Sequence, residues 1–286
     1  MIFVFIGGAS GSGKTGLSRH ILSKLLSTGI SAQILNMDDY YHEIPQGVNI
    51  EEFRRNTNFD TPDMLHLDLF KQHIVALNQG NSITKPLFVF KTNRREGEEV
   101  IKPSEVIIIE GIFAQYFYKN FWPTELVSLT INVGTESYLD IVDRRIRRDI
   151  EQRGRIRTDS IKQERKYVGP GFLKYTASSS MNADIYINNA HKNGAEEQQS
   201  ILDVAANEVI AQLNQMREKI ASGKELQSKK LAPNVQEMVA KSHLIAGTLF
   251  NRRFDGFFSG VFGNFKGEFV KELSEQEVLE LRNSIS

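Results

Sequence analysis

Eight consecutive residues, Gly8-Ala9-Ser10-Gly11-Ser12-Gly13-Lys14-Thr15, have the types and spacing needed to hold a chain of phosphates. They fit the pattern G-x-x-x-x-G-K-[S/T], in which glycines let the backbone curl until its N–H groups point inward at phosphate oxygens. Lys14 is placed to reach the β- and γ-phosphates of a nucleoside triphosphate, and the Thr15 hydroxyl to bind the Mg²⁺ that travels with it. The flanks suit that chemistry. Met1 to Ile6 is an apolar run of the kind that forms a strand buried on both faces. After the loop, Leu17, Ile21, Leu22, Leu25 and Leu26 recur at helical spacing. The helix N-terminus adds partial positive charge to the backbone cradle. The competing reading is a chance glycine-rich turn, and it accounts for neither flank.

Two acids stand where such a loop needs partners. Ser31 to Met37 reads as a second strand ending in Asp38-Asp39-Tyr40-Tyr41, and carboxylates at strand C-termini of an open α/β sheet face the ligand crevice. Glu105 to Ile109 is the clearest buried strand, and Glu110-Gly111 follows it at once. An acid so placed either handles Mg²⁺ opposite the phosphate loop or merely caps the next helix.

The remaining elements must carry these groups. Asn58-Phe59-Asp60-Thr61-Pro62-Asp63 is turn-rich and precedes a helix bearing Leu65, Leu69, Ile74 and Leu77. Lys85 to Lys91, with Phe88, Val89 and Phe90, reads as extended, and Leu126 to Val133 as a further strand. Thr135 is the expected N-cap of a helix running to about Gln152. Its far part is basic, with Arg144, Arg145, Arg147 and Arg148, and Arg153, Arg155 and Arg157 follow. Such a run is either a solvated face or a set of guanidiniums on a closing lid, and Gly154 breaks the helix between two arginines as a lid requires. Ala183 to Ile187 closes the pattern as a last short strand. The alternation of strand and helix predicts an α/β fold with a doubly wound, mainly parallel sheet.

Composition sets the outer bounds. A chain of 286 residues can bury one large core, or one core with an appendage. Lys+Arg and Asp+Glu balance at 35 each, so no global field favours nucleic acid or an anionic membrane. The absence of cysteine excludes disulfides and thiolate metal sites and suits a reducing cytoplasm. The N-terminal apolar run is too short for a signal peptide and leads straight into the phosphate loop. No stretch reaches the roughly 18 apolar residues that span a bilayer. The expectation is a cytoplasmic protein.

Taken together, these motifs resemble the uridine kinase family of phosphate-loop kinases, which includes phosphoribulokinase and pantothenate kinase relatives. The resemblance covers roughly residues 2 to 189. It rests on the phosphate loop, Asp38-Asp39-Tyr40-Tyr41, Asn58 to Asp63, Pro86 to Phe90 and Glu110-Gly111-Ile112, and continues through Arg145, Arg148-Asp149, Arg153-Gly154-Arg155 and Ala183-Asp184-Ile185. It implies a P-loop kinase domain over 1–192 with an arginine-rich lid at about 148–170, and a helical C-terminal extension over 193–286. It further implies ATP (or GTP) and Mg²⁺ as cofactors, with γ-phosphate transfer to a primary hydroxyl of a small-molecule acceptor. Asp38 would be the general base, aided by Lys14 and Arg148. Gly8, Ser10, Gly11, Ser12, Gly13, Lys14, Thr15, Arg153 and Arg155 would hold the nucleotide, and Thr15 and Glu110 the metal. Tyr41, Asp60, Phe88, Phe90, Asn93, Arg145 and Gln163 would face the acceptor. Nucleoside-using members carry a Tyr-Asp-Phe run and then a histidine in the acceptor segment. Here those positions are Phe88, Val89, Phe90 and Asn93, so uridine or cytidine competes with another sugar, a sugar phosphate or a pantothenate-like alcohol.

Residues 195 to 286 lie outside that resemblance. Leu202, Ala206, Val209, Leu213, Met216 and Ile220 form one apolar helical seam, and a polar linker runs from Ser222 to Pro233. Phe250 to Phe269 then segregates phenylalanines onto one helical arc and Gly256, Gly260, Gly263 and Gly267 onto the opposite one. That segment is a core element, a homo-oligomer interface or a ligand surface. Ser274-Glu275-Gln276-Glu277 is a capping box opening a last helix. A small-molecule kinase is the leading reading because Asp38 has a task only where an acceptor is activated. A regulatory nucleotide-binding protein is the alternative. Neutral charge speaks against nucleic acid as a partner.

Overall fold

The computed structural model of the protein describes residues 1–122, 126–135, 137–181, 183–190 and 195–223. Five parallel strands form its centre: β1 (Ile2–Gly7), β2 (Ala32–Asn36), β5 (Val106–Glu110), β6 (Ser128–Gly134) and β7 (Ile185–Asn188), in the order β2-β5-β1-β6-β7. Between β2 and β5 lie α2 (Ile50–Asn56), α3 (Leu67–Asn78) and an antiparallel hairpin of β3 (Ile83–Val89) and β4 (Arg94–Ile101). The other helices are α1 (Lys14–Ser27), α4 (Ala114–Phe121), α5 (Tyr138–Arg153), α6 (Arg157–Gln163) and α7 (Ala195–Ala221). After α6 the chain stays helical to Ser180, with wide π-helical turns at Glu164–Val168 and Phe172–Ala177.

The period of two in a strand explains why β1 is apolar throughout. Ile2, Val4 and Ile6 point to one face and pack with Val106 and Ile108 beneath Leu17, Ile21 and Leu25 of α1. Phe3 and Phe5 point to the other face with Ile107 and Ile109, and meet Phe70 and Ile74 of α3 and Phe117 of α4. Both faces are covered, so the fold is α/β and doubly wound, as the alternating pattern predicts. No described helix is long and apolar enough to cross a membrane.

Several boundaries differ from the sequence reading. β2 ends at Asn36, and Asp38 sits on a 3₁₀ turn, Met37–Tyr40, whose first N–H groups are met by the Asn36 side chain. The proline-containing segment keeps Leu65 extended, where it bridges to Tyr41, so α3 starts two residues later at Leu67. The N-cap position of α5 is Ser137; the Thr135 hydroxyl instead donates to the Ser137 carbonyl and tightens the turn before the helix. On α1, Leu26 is 53% exposed. The hairpin strand β4 has no apolar period, because its residues are almost all exposed and its partner alone holds it.

Helix α7 lies against α1 and closes one face of the sheet. Leu202, Ala206, Val209 and Leu213 join the core cluster of β1, β5 and β6, Met216 packs at its edge, and Ile220 is exposed. The linker beyond Gly223, the Phe250–Phe269 segment and the capping box at Ser274 lie outside the described residues. Leu213→Ala should lower the free energy of unfolding by about 2–5 kcal/mol, while Ile220→Ala changes it by less than about 0.5 kcal/mol. Denaturant titration of both variants measures the contrast.

Candidate active site

The phosphate loop joins β1 to α1, and its shape depends on two close approaches. Gly13 caps α1 in the left-handed region (φ 101°), with the Asn189 amide where a Cβ would stand and donating 2.8 Å to the Ser12 carbonyl. At Gly11 (φ 95°) a Cβ would lie 2.8 Å from the Ile141 carbonyl oxygen. The loop therefore tolerates no side chain there and keeps its N–H groups free to converge on an anion. Lys14 curls back over it, donating to the Ala9 carbonyl at 3.0 Å. Burial pulls its pKa down, while Glu110 and Asp38 pull it up.

Strand pairing brings the first acid to the loop. The register sets Ile6 beside Glu110, and the Thr15 hydroxyl, one residue into α1, donates to Glu110 Oε2 at 3.1 Å. Burial raises the Glu110 pKa against the opposing pull of Lys14. These groups fit a Mg-nucleotide. An all-oxygen pair of one hydroxyl and one carboxylate suits Mg²⁺, which takes its other ligands from phosphate and water. The Ser12 hydroxyl, fully buried in the cradle, has no partner among the described residues.

From the loop a cleft runs past Ser10 and Asp38 to Tyr41, Asp60, Phe90, Arg145, Arg153, Arg155 and Gln163. Nine of the residues expected at the site thus share one cavity wall. Arg148 joins them at the loop end, donating to the Ser10 hydroxyl at 2.9 Å. Its neighbour Asp149 gathers the arginines. Arg145 reaches Asp149 at 3.0 Å, Arg148 at 3.0 Å and Arg153 at 3.2 Å. Burial works against the Asp149 charge, and Arg153, Arg148 and Arg145 outweigh it, holding the carboxyl below its usual range. Burial and then Arg148 push Arg153 down to about 10.

The acceptor end is largely aromatic. Arg153 stands 4.0 Å over the Phe90 ring, and Arg155 stands 5.9 Å from the centre of Phe59. The Tyr41 hydroxyl donates to the Phe59 carbonyl at 3.0 Å. Two expected residues lie off the cleft. Phe88 packs behind Tyr41 and donates its N–H to Asp39. Asn93 is wholly buried at the hairpin turn (φ 52°), where its Oδ1 accepts from Arg54 Nε at 3.0 Å. Arg145 is held by Glu164, at 2.8 Å, as well as by Asp149. The Gln163 side-chain amide is engaged by Arg54 and Arg155. The sequence reading passed over Phe59, Asp149 and Arg54. Asp149 carried a signal, since it stands four residues from both Arg145 and Arg153 on one helix face.

Comparison with known proteins places this geometry. The profile of the Phosphoribulokinase / Uridine kinase family matches residues 3–196. The chain belongs to that family. It is 34% identical over 187 residues to a uridine kinase of Alkaliphilus metalliredigens, covering 65% of this chain and 86% of that one. With the uridine kinase of Leuconostoc citreum it shares 31% identity over 215 residues, covering 75% of this chain and 97% of the relative. A mouse uridine-cytidine kinase-like 1 is 36% identical over 183 residues, 64% of this chain but only 32% of the mouse protein's length. Among solved structures, a candidate fructose transport system kinase from Silicibacter sp. TM1040 superposes with a TM-score of 0.51 at 19% identity, over 65% of this chain and 88% of that one. Family membership makes the protein an ATP-dependent phosphotransferase of the phosphate-loop class.

Asp60 offers a direct test of the cleft's electrostatics. Burial raises its pKa to about 6, against the pull of Arg145. The folded state therefore binds its proton more tightly than the unfolded chain does, and the stability this confers is lost as pH rises from about 4 to about 6. The stability difference between wild type and Asp60→Asn should fall across that window and stay flat above it. Urea midpoints at half-unit pH steps report it.

Proposed function

We propose that the protein transfers the γ-phosphate of ATP to a primary hydroxyl of a nucleoside or sugar-like acceptor, in the manner of a uridine kinase. The observation that carries this reading is that Asp38 and Ser10 line the same cleft as the aromatic acceptor wall, so that a base and a phosphate cradle open onto one space. Relatives bearing the name uridine kinase, at 31% and 34% identity, support the nucleoside-like acceptor.

In this reading the loop N–H groups and Lys14 hold the triphosphate, with Gly8, Gly11 and Gly13 leaving the backbone bare. Thr15 and Glu110 hold Mg²⁺, which when bound offsets the charge on the phosphate oxygens. Asp38 accepts the proton of the attacking hydroxyl as its oxygen approaches phosphorus. Arg148 and Arg153 turn from Asp149 to the transferring phosphoryl group, so positive charge arrives where negative charge develops. Tyr41, Asp60, Phe90, Arg145 and Gln163 bound the acceptor, and Arg155 closes over it.

A kinase of a non-nucleoside alcohol is the second reading. It is favoured by Phe88 and Asn93, which lie off the cleft and offer no polar group to a base. ATP consumption against a panel of nucleosides, sugars, sugar phosphates and pantothenate separates the two, and turnover with no panel member would leave a regulatory nucleotide-binding role. Asp38→Asn should lower kcat by about 10²–10⁴-fold with ATP affinity preserved. Lys14→Ala should weaken ATP binding itself. Isothermal titration with a non-hydrolysable ATP analogue, beside steady-state rates, distinguishes the two defects.

A further inference from the structure

Arg54 is 8% exposed although it belongs to the short helix α2 on the rim of the cleft. Its guanidinium serves the hairpin turn. Nε donates to Asn93 Oδ1 at 3.0 Å, and Nη2 donates to the carbonyls of Phe90 at 3.1 Å and Lys91 at 2.7 Å. Its main-chain carbonyl serves the opposite side, accepting from the amide of Gln163 at the end of α6. The same Gln163 accepts from Arg155 through its other amide atom. Two further ties run in parallel: Arg55 to Asp159 at 3.1 Å, and the Tyr167 hydroxyl to the Asn56 carbonyl at 3.1 Å. The wall ring Phe90 and the arginine above Phe59 are thus joined through one side chain and its own peptide.

We propose that Arg54 is a positioning residue that fastens the hairpin turn to the arginine-bearing segment, so that the acceptor wall and the arginines move as a unit. The planar fork is essential to the role. Three acceptors on the hairpin turn are met at once by rigidly spaced donors, a geometry an ammonium group cannot reproduce. Asn93 is held in the left-handed region by the same bonds, which commits its side chain to Arg54 and leaves rings and guanidiniums to meet the acceptor. The kinetic consequence rests on the kinase reading above; the mechanical one does not.

Hydrogen exchange on the full chain without ligand tests the mechanical claim. In Arg54→Leu, protection should fall on the order of tenfold or more both at 89–94 and at 157–168, with 2–7 and 14–27 unchanged. Arg54→Lys keeps the charge and the stem, so it answers the same question if the leucine variant folds poorly, and it should loosen the same two regions less. Loss confined to the hairpin turn, with 157–168 as protected as in wild type, overturns the proposal. Steady-state kinetics with ATP and uridine add the second readout. The KM for uridine should rise and kcat fall while the KM for ATP holds. A uniform drop in kcat with both KM values unchanged would mark a merely structural residue and overturn it as well. Failure of the wild type to phosphorylate uridine would count against the acceptor reading, and the exchange result would still decide the part played by Arg54.

Discussion

The hydrogen bond from Thr15 to Glu110, 3.1 Å long, joins the first residues of a helix to the last residue of a neighbouring strand. It can form only because β1 and β5 run parallel with Ile6 level with Glu110, so both strands end at the same height. Parallel pairing demands crossover connections, and these put helices on both faces and bury the sheet. The all-apolar strands, the two core clusters and the placement of Asp38 at the end of β2 follow from that one register. A slip of one residue would turn Glu110 to the other face of the sheet and away from the loop.

Charge is the second organising problem. Four arginines crowd one side of the cleft, and like charges so close are costly when half removed from water. Asp149 relieves this by serving three of them, while Glu164 takes a second bond from Arg145 and a hydroxyl bond from Tyr138 at 2.8 Å. The cluster remains richer in positive than negative groups. A triphosphate completes it, and its arrival can draw Arg148 and Arg153 off a carboxylate that still keeps Arg145.

The parts of this arrangement that were legible in the sequence are those set by local pattern. The loop declares itself through glycine spacing, β1 and β5 through continuous apolar runs, and the end of α5 through Gly154, which adopts the left-handed conformation there (φ 63°). What the sequence concealed depends on contacts distant along the chain. Strand β4 is polar because only its partner holds it, and Arg54 looks like any surface residue of an acidic-then-basic helix until the hairpin turn folds against it. Asn93 stood in line with acceptor-facing positions, yet its side chain is spent on Arg54. The seam of α7 was visible as a period, but its docking on α1 could not be read from spacing alone.

The π-helical turns beyond α6 give the length of this segment a meaning of its own. Each wide turn absorbs a residue that an α-helical turn would not hold, and such turns gather at functional sites. Downstream of the first, Gly171 faces Asp60, where an added Cβ would come within 2.7 Å of the Asp60 Cβ, and the Thr176 hydroxyl reaches the Ile112 carbonyl at 3.0 Å. Deleting one residue between Gln163 and Gly171 would restore the narrower winding and rotate everything after it by about 100°. The bare edge of Gly171 would then swing away from Asp60 and a side chain would enter instead. In this stretch evolution can exchange letters far more freely than it can change their number.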